Sequence, residues 1–229
     1  ASPKSKRASS RPGSVQAQVV NRSSMASSIT TAVSRPLTIV FSHDGDRRLY
    51  RQEPGAAPVP ITPETDGLHR FADGRLTSDG ARWIGVRERH APSGRVADVV
   101  NELVVVAVDG SEEPRTISSG RDLSSTPRVS PDGRRLSWLS WNLPWMPWDG
   151  CELWVADLAS DGSLSGERRV AGRDGEESIW QPTWSPGGDL VFASDRSGWW
   201  NLERIRGEER IALVEREVEF GYPQWVMGE

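Results

Sequence analysis

The sequence is poor in cysteine and has no long hydrophobic run. Cys151 is the one cysteine among 229 residues, which excludes an internal disulfide framework and any zinc site built from several cysteines. The longest uncharged apolar stretch, 103–108, has the length of a buried strand and falls far short of the roughly eighteen residues that a transmembrane helix needs. We therefore expect neither a membrane partner nor a disulfide-stapled domain.

Acidic residues are missing from the first 43 positions. Six of the 28 basic residues lie there, whereas the 32 acidic residues begin at Asp44, and ten serines fall within residues 1–36. Such a basic, serine-rich segment leaves three interpretations open: a disordered extension, an organellar transit segment or a nucleic-acid-binding arm. The acidic remainder offers nucleic acid no surface, so we expect no nucleic-acid partner. We expect a cytoplasmic protein, or an organellar one if residues 1–36 are a transit segment.

Helical periodicity is also missing, and a repeated unit of about 50 residues takes its place. The motif Ser-Pro-Asp-Gly, or a variant of it, recurs with its anchor glycines Gly80, Gly133 and Gly188 spaced 53 and 55 residues apart. This is turn chemistry, because proline fixes φ, aspartate caps its own backbone and glycine takes the positive φ that closes the turn. Short alternating apolar stretches flank each turn, which predicts β-hairpins.

The repeats predict an all-β fold, namely a β-propeller of four-stranded blades. An ordinary β-sandwich is the alternative, but three elements recurring in the same order argue against it. The propeller is expected over residues 37–229, with blade units at about 37–62, 69–118, 126–172 and 181–214 and the start of another at 222. Closed propellers need at least four complete blades. We therefore expect an incomplete propeller of about four blades, in a chain that is a fragment.

Tryptophan supplies 11 residues, against 4 phenylalanines and 2 tyrosines. Three tryptophan-bearing segments are Met146-Pro147-Trp148-Asp149, Glu176-Glu177-Ser178-Ile179-Trp180 and Gly198-Trp199-Trp200-Asn201-Leu202. These segments resemble the N-terminal propeller of prolyl-oligopeptidase-family serine peptidases, in the dipeptidyl-aminopeptidase and acylaminoacyl-peptidase branch. The resemblance covers residues 37–229.

The resemblance implies a propeller that caps a C-terminal α/β-hydrolase domain and restricts access to short peptides. In that family the Ser-Asp-His triad lies in the hydrolase domain, and the nucleophile motif Gly-x-Ser-x-Gly has no match in the 229 residues. We therefore expect no catalytic residues here and no activity from this chain alone, with the hydrolase domain and short peptides as its partners. The alternative is a free-standing propeller that acts as a protein-interaction scaffold. Unpaired blade edges also leave a homo-oligomer open.

Two pairs of residues are candidates for substrate binding. In the dipeptidyl-peptidase relatives a propeller glutamate pair receives the α-amino group of the substrate, and the resemblance assigns this role to Glu176 and Glu177. The alternative is an acidic loop between blades. Because neighbouring residues of a strand point to opposite faces, the pair can serve one amine only in a loop or a bulge.

The second pair, Trp145 and Trp148, is a candidate for stacking on a sugar or a peptide side chain. The alternative is packing within their own loop or against the hydrolase domain. No metal site is expected, because the spacing of the three histidines matches no compact metal motif. No cofactor is expected either.

Overall fold

The computed structural model describes residues 17–20 and 38–221, which form four antiparallel sheets of four strands each. Blade 1 contains β1 (Ala17–Val20), β2 (Thr38–Ser42), β3 (Leu49–Gln52) and β4 (Val59–Pro60), and blade 2 contains β5 (His69–Leu76), β6 (Arg82–Arg89), β7 (Val100–Ala107) and β8 (Arg115–Ser118). Blade 3 contains β9 (Leu123–Val129), β10 (Arg135–Trp141), β11 (Glu152–Leu158) and β12 (Leu164–Ala171), and blade 4 contains β13 (Ile179–Trp184), β14 (Leu190–Ser194), β15 (Asn201–Arg206) and β16 (Glu209–Ala212). Consecutive strands are neighbours in every sheet, as in propeller blades.

The four separate sheets confirm the predicted all-β fold and the incomplete propeller of about four blades. Blades 2, 3 and 4 extend over 69–118, 123–171 and 179–212. Blade 1 takes its first strand from Ala17–Val20, which lies inside the segment that the sequence assigns to an extension. The rest of that segment and the unit expected from 222 lie outside the described residues. Within the described part no helix has the length and hydrophobicity of a bilayer-crossing segment.

The recurring turn folds as its chemistry predicts. In blade 3, Asp132 accepts hydrogen bonds from Ser130 Oγ at 2.6 Å and from the Arg134 backbone N–H at 3.1 Å. These bonds hold the pKa of the Asp132 carboxyl below its ordinary value. Gly133 closes the turn with a φ of 73°, a conformation that a side chain disfavours. The same turn therefore reverses the chain between the first two strands of the blade each time the motif occurs.

The hydrophobic core lies between the blades rather than within them. One cluster joins blades 1 and 2, a second joins blades 2 and 3, and a third joins blades 3 and 4. Strand β7 contains the uninterrupted apolar run 103–107, in which Val104 and Val106 pack in the first cluster, whereas Leu103 and Val105 pack in the second. Because a central strand buries both of its faces, the run 103–108 loses the usual alternation of polar and apolar residues.

The first strand of each blade is the innermost one, since β1 adjoins β5, β5 adjoins β9 and β9 adjoins β13. Each of the last three carries one extra residue relative to its partner strand, which makes a β-bulge. The bulge contains a residue with positive φ: Asp73 at 46°, Thr126 at 56° and Gln181 at 51°. The bulges recur with the same spacing as the anchor glycines, so they belong to the repeat.

Candidate functional site

Two loops at one edge of blades 3 and 4 carry the four residues singled out from the sequence. The tryptophan loop, 142–151, joins β10 to β11, and the glutamate loop, 172–178, joins blade 3 to blade 4. A hydrogen bond of 2.8 Å from the Asn142 side-chain amide to Asp174 Oδ2 links them. The structure therefore brings the tryptophan pair and the glutamate pair onto neighbouring loops.

The tryptophan loop presents an apolar surface to solvent. Trp145 and Trp148 are 44% and 45% exposed, and Leu143 and Met146 beside them are exposed as well. The Trp145 ring lies so close to Gly175 of the glutamate loop that a Cβ built on this glycine would be 2.8 Å from the ring. The exposed indole surface and the glutamate loop are thus parts of one site.

Glu177 is occupied by groups of the protein itself. Its carboxylate accepts hydrogen bonds from the guanidinium of Arg210, from Ser194 Oγ at 2.5 Å and from the Gly172 backbone N–H at 3.0 Å. Burial raises the pKa of the Glu177 carboxyl, but the hydrogen bonds from Arg210 and Ser194 outweigh burial and hold the pKa below its ordinary value. Glu177 is therefore an ionised group that positions the glutamate loop.

Glu176 has a different environment, although it is the next residue. Its side chain is 65% exposed, and its ion-pair partner is Arg173, at 3.2 Å. An ion pair this exposed contributes little to stability, so its carboxylate can exchange partners readily. Both glutamates lie in a loop, as a shared amine site requires, but the structure leaves only the Glu176 carboxylate open to an external donor.

An open cleft of about 510 Å³ lies over the glutamate loop. Its lining residues are Arg169, Val170, Ala171, Gly172, Arg173, Glu176, Glu177 and Arg210. The cleft is mainly polar, with three guanidiniums and two carboxylates. The guanidinium of Arg169 forms an ion pair with Glu152, with Arg169 Nη1 2.7 Å from Glu152 Oε1. The arrangement suits a small charged ligand whose ammonium group reaches Glu176.

Sequence reasoning missed a buried glutamate that recurs in three blades. Glu102, Glu152 and Glu203 are 2%, 4% and 3% exposed, and each forms ion pairs with two arginines. Arg210 connects this feature to the cleft, because it binds Glu203 as well as Glu177. The signal was present in the repeated Glu-Leu pair in the third strand of blades 2 and 3, where a charged residue directly precedes an apolar run.

The hydrogen-bond donors around Glu102 show how the carboxylate of Glu102 stays charged. It receives bonds from Thr116 Oγ1 at 2.9 Å and from Arg87 and Arg89 at 2.9 and 2.7 Å. Burial raises the pKa of the Glu102 carboxyl, and the bonds from Thr116 and then the two guanidiniums lower it further than burial raises it. A buried charge is tolerated when it is paired and hydrogen-bonded in this way.

Within the described residues, no group of three or more histidine, cysteine, aspartate or glutamate side chains is arranged to hold a metal ion. The blades and their loops instead define a partial β-propeller with a polar cleft beside an exposed tryptophan surface.

Comparison with known proteins agrees with the assignment of a partial β-propeller. No family model and no curated protein sequence matches the chain. Among solved structures, a puromycin hydrolase is 37% identical over 84% of this chain, with a TM-score of 0.77. A puromycin-hydrolyzing peptidase of Mycobacterium tuberculosis is 35% identical over 86% of this chain, with a TM-score of 0.75. A prolyl endopeptidase structure shares the fold, at 17% identity over 80% of this chain and a TM-score of 0.54.

The chain spans 31% of the length of the puromycin hydrolase and of the mycobacterial peptidase. Both belong with the prolyl endopeptidases to the prolyl-oligopeptidase family. The chain is therefore homologous to the N-terminal portion of prolyl-oligopeptidase-family peptidases, which confirms the resemblance seen in its tryptophan-rich segments.

Proposed function

We propose that this chain is the N-terminal propeller portion of a serine peptidase of the prolyl-oligopeptidase family, and that it limits the access of short peptides to a C-terminal α/β-hydrolase domain. The observation that carries the proposal is the identity of 35–38% to puromycin-hydrolysing structures over 84–86% of the chain. The absence of a Gly-x-Ser-x-Gly motif from the sequence agrees with a catalytic nucleophile in the other domain.

The two loops supply the contacts that such a role requires. Glu176 is the acceptor for the α-amino group of the substrate, because its carboxylate is exposed at the cleft. Trp145 and Trp148 offer flat apolar surface for an adjacent side chain. Glu177 and Arg210 hold the loop in place rather than contact the ligand.

The chemistry of puromycin, which the related proteins hydrolyse, supports the same class of ligand. Puromycin joins an amino acid with a free α-amino group and an aromatic side chain to a nucleoside through an amide bond. A carboxylate beside exposed indole rings is complementary to that amino-acid part. We therefore propose aminoacyl and short peptidyl amides as the substrate class.

Expression of the reading frame that contains this chain tests the proposal. The longer product should react with a fluorophosphonate probe and hydrolyse an aminoacyl amide, whereas the 229-residue chain alone should do neither. A product without a fluorophosphonate-reactive serine would contradict the peptidase assignment and favour the interaction scaffold.

The role of Glu176 has a sharper test in the longer product. Glu176→Gln should raise KM for substrates with a free amino group and leave KM for their N-acetylated counterparts unchanged, because only the former offer an ammonium donor. Glu208→Gln, at an exposed turn of blade 4, is the matched control. Equal effects of Glu176→Gln on both kinds of substrate would remove the amine-binding role.

A further inference from the structure

A second charged group lies on the innermost strands, away from the two loops. Arg75 of β5 and Arg128 of β9 each follow a bulge residue, Asp73 or Thr126, by two positions. The two bulges are tied together, because Asp73 Oδ2 accepts a hydrogen bond of 2.5 Å from the Thr126 backbone N–H. The repeat thus places an arginine at the same position of two adjoining inner strands. We call Arg75 and Arg128 the axial arginine pair.

Within the part of the chain that the structure describes, the axial arginine pair lacks the carboxylate partners that the arginines around the buried glutamates possess. Arg75 Nη1 donates to the Gly74 carbonyl at 3.2 Å, and Arg128 Nη1 donates to the Pro127 carbonyl at 2.9 Å. Among the described residues neither guanidinium has a carboxylate oxygen within 4.0 Å. By contrast, the buried glutamates of blades 2, 3 and 4 each bind two guanidiniums.

The charges at this position do not balance. Burial, followed by the neighbouring charge of Arg75, lowers the pKa of Arg128 to about 10, so the Arg128 guanidinium stays protonated at neutral pH. Asp73 is the one carboxylate of the described residues that acts on Arg128, and burial raises the pKa of Asp73. Two cations facing one carboxylate leave an excess positive charge on half-buried groups, which a bound anion would neutralise.

The donors are suited to one kind of anion. A guanidinium has five N–H groups in a planar fork that matches a carboxylate in two parallel hydrogen bonds. Each member of the axial arginine pair uses one terminal nitrogen on a backbone carbonyl, so most of its N–H groups have no acceptor among the residues that the structure describes. A single excess charge matches a monoanion, and Asp73 would repel a dianion such as phosphate.

We propose that the axial arginine pair binds the carboxylate of a short peptide at the propeller axis. The ligand class rests on the proposed function, in which short peptides reach this propeller. The axial site would hold the carboxylate end of a peptide, whereas the cleft at the glutamate loop would hold an amino end.

Calorimetric titration of the 229-residue chain with trialanine and with trialanine amide tests the proposal. The free acid should bind at least 10-fold more tightly than the amide, which has no carboxylate. In the double variant Arg75→Gln, Arg128→Gln the two ligands should bind with equal affinity. Arg70→Gln, on the same strand β5 and exposed, is the matched control and should keep the preference.

Three results would overturn the axial site: equal affinity for acid and amide in the unmodified chain, a preference for the acid that survives in the double variant, or inorganic phosphate that binds as tightly as the acid. If the double variant does not fold, Arg128→Lys replaces it as the test, because lysine keeps the positive charge but lacks the planar guanidinium that binds a carboxylate through two hydrogen bonds. Arg128→Lys should reduce the preference for trialanine over trialanine amide about threefold. An unchanged preference in Arg128→Lys would likewise overturn the site. Because the chain is titrated alone, this outcome is separate from fluorophosphonate labelling of the longer product.

Discussion

Replacement of Glu177 by glutamine should destabilise the fold, whereas the same change at Glu176 should not. Glu177 receives a charge-assisted bond from Arg210 and two further bonds from Ser194 and Gly172. A hydrogen bond to a charged group contributes about 1.5–3 kcal/mol, and breaking a fully buried ion pair costs about 3–5 kcal/mol. Arg210 keeps Glu203 as a second partner in the variant, so we expect a loss of about 2 kcal/mol.

Urea unfolding followed by tryptophan fluorescence measures the free energy of unfolding of both variants. Glu176→Gln removes an exposed ion pair with Arg173 and should change that free energy by less than about 0.5 kcal/mol. A loss at Glu177 as small as the loss at Glu176 would refute the assignment of different roles to the two glutamates.

The pH dependence provides a second check on Glu177. The pKa of the Glu177 carboxyl is lower in the folded chain than its ordinary value of 4.5, which applies to the unfolded chain. The ionised carboxylate therefore contributes its full stabilisation at pH values above about 4.5. The contribution is lost as the pH falls through the lowered folded pKa. The difference between the unmodified chain and Glu177→Gln should therefore be full at pH 7 and shrink below about pH 4.5. A difference that is constant from pH 7 to pH 3 would contradict this reasoning.

Three further predictions concern the blades. Gly85→Ala should lower the free energy of unfolding by about 1–3 kcal/mol, because the new Cβ would lie 2.2 Å from the buried Trp83 ring. In Gly187→Ala the new Cβ would lie 3.9 Å from Ser185 Oγ, an ordinary contact, so this change should be near neutral in thermal unfolding. Glu102→Gln should cost about 3–5 kcal/mol in urea unfolding, because it leaves two guanidiniums without their carboxylate, and a cost below about 1 kcal/mol would contradict this role. Cys151 is fully buried and burial raises its thiol pKa to about 12, so a thiol reagent at pH 8 should label it only after unfolding; labelling of the native chain would show that the blade opens.

The turns and the central strands were predictable because their causes are local. Ser-Pro-Asp-Gly closes a turn through bonds among neighbours such as Ser130 and Asp132, and the apolar run 103–108 shows a strand buried on both faces. Strand β1 was not predictable, since seventeen residues separate Ala17–Val20 from the next strand and no turn motif connects them.

The partners of the candidate site residues could not be predicted from the sequence either. Glu177 meets Arg210, 33 positions away, only because the register of β15 with β16 and the packing of blade 4 on blade 3 bring them together. Adjacent glutamates in the sequence gave no sign that one is held by the protein and the other is exposed. Ion pairs of this kind depend on tertiary packing, which no local pattern encodes.

The division of the core into three clusters between four blades makes the chain a one-dimensional array. Blades 2 and 3 each contact two neighbours, whereas blades 1 and 4 each contact one among the described residues. In such an array the stability of a unit depends on its nearest neighbours, and the end units open first. The glutamate loop is the connection to blade 4, and Arg210 and Ser194, which hold it, belong to that blade. The ligand-binding surface is therefore coupled to the packing of an end blade. A unit that packs against the far face of blade 4 will stabilise that blade and, through Arg210 and Ser194, the conformation of the glutamate loop.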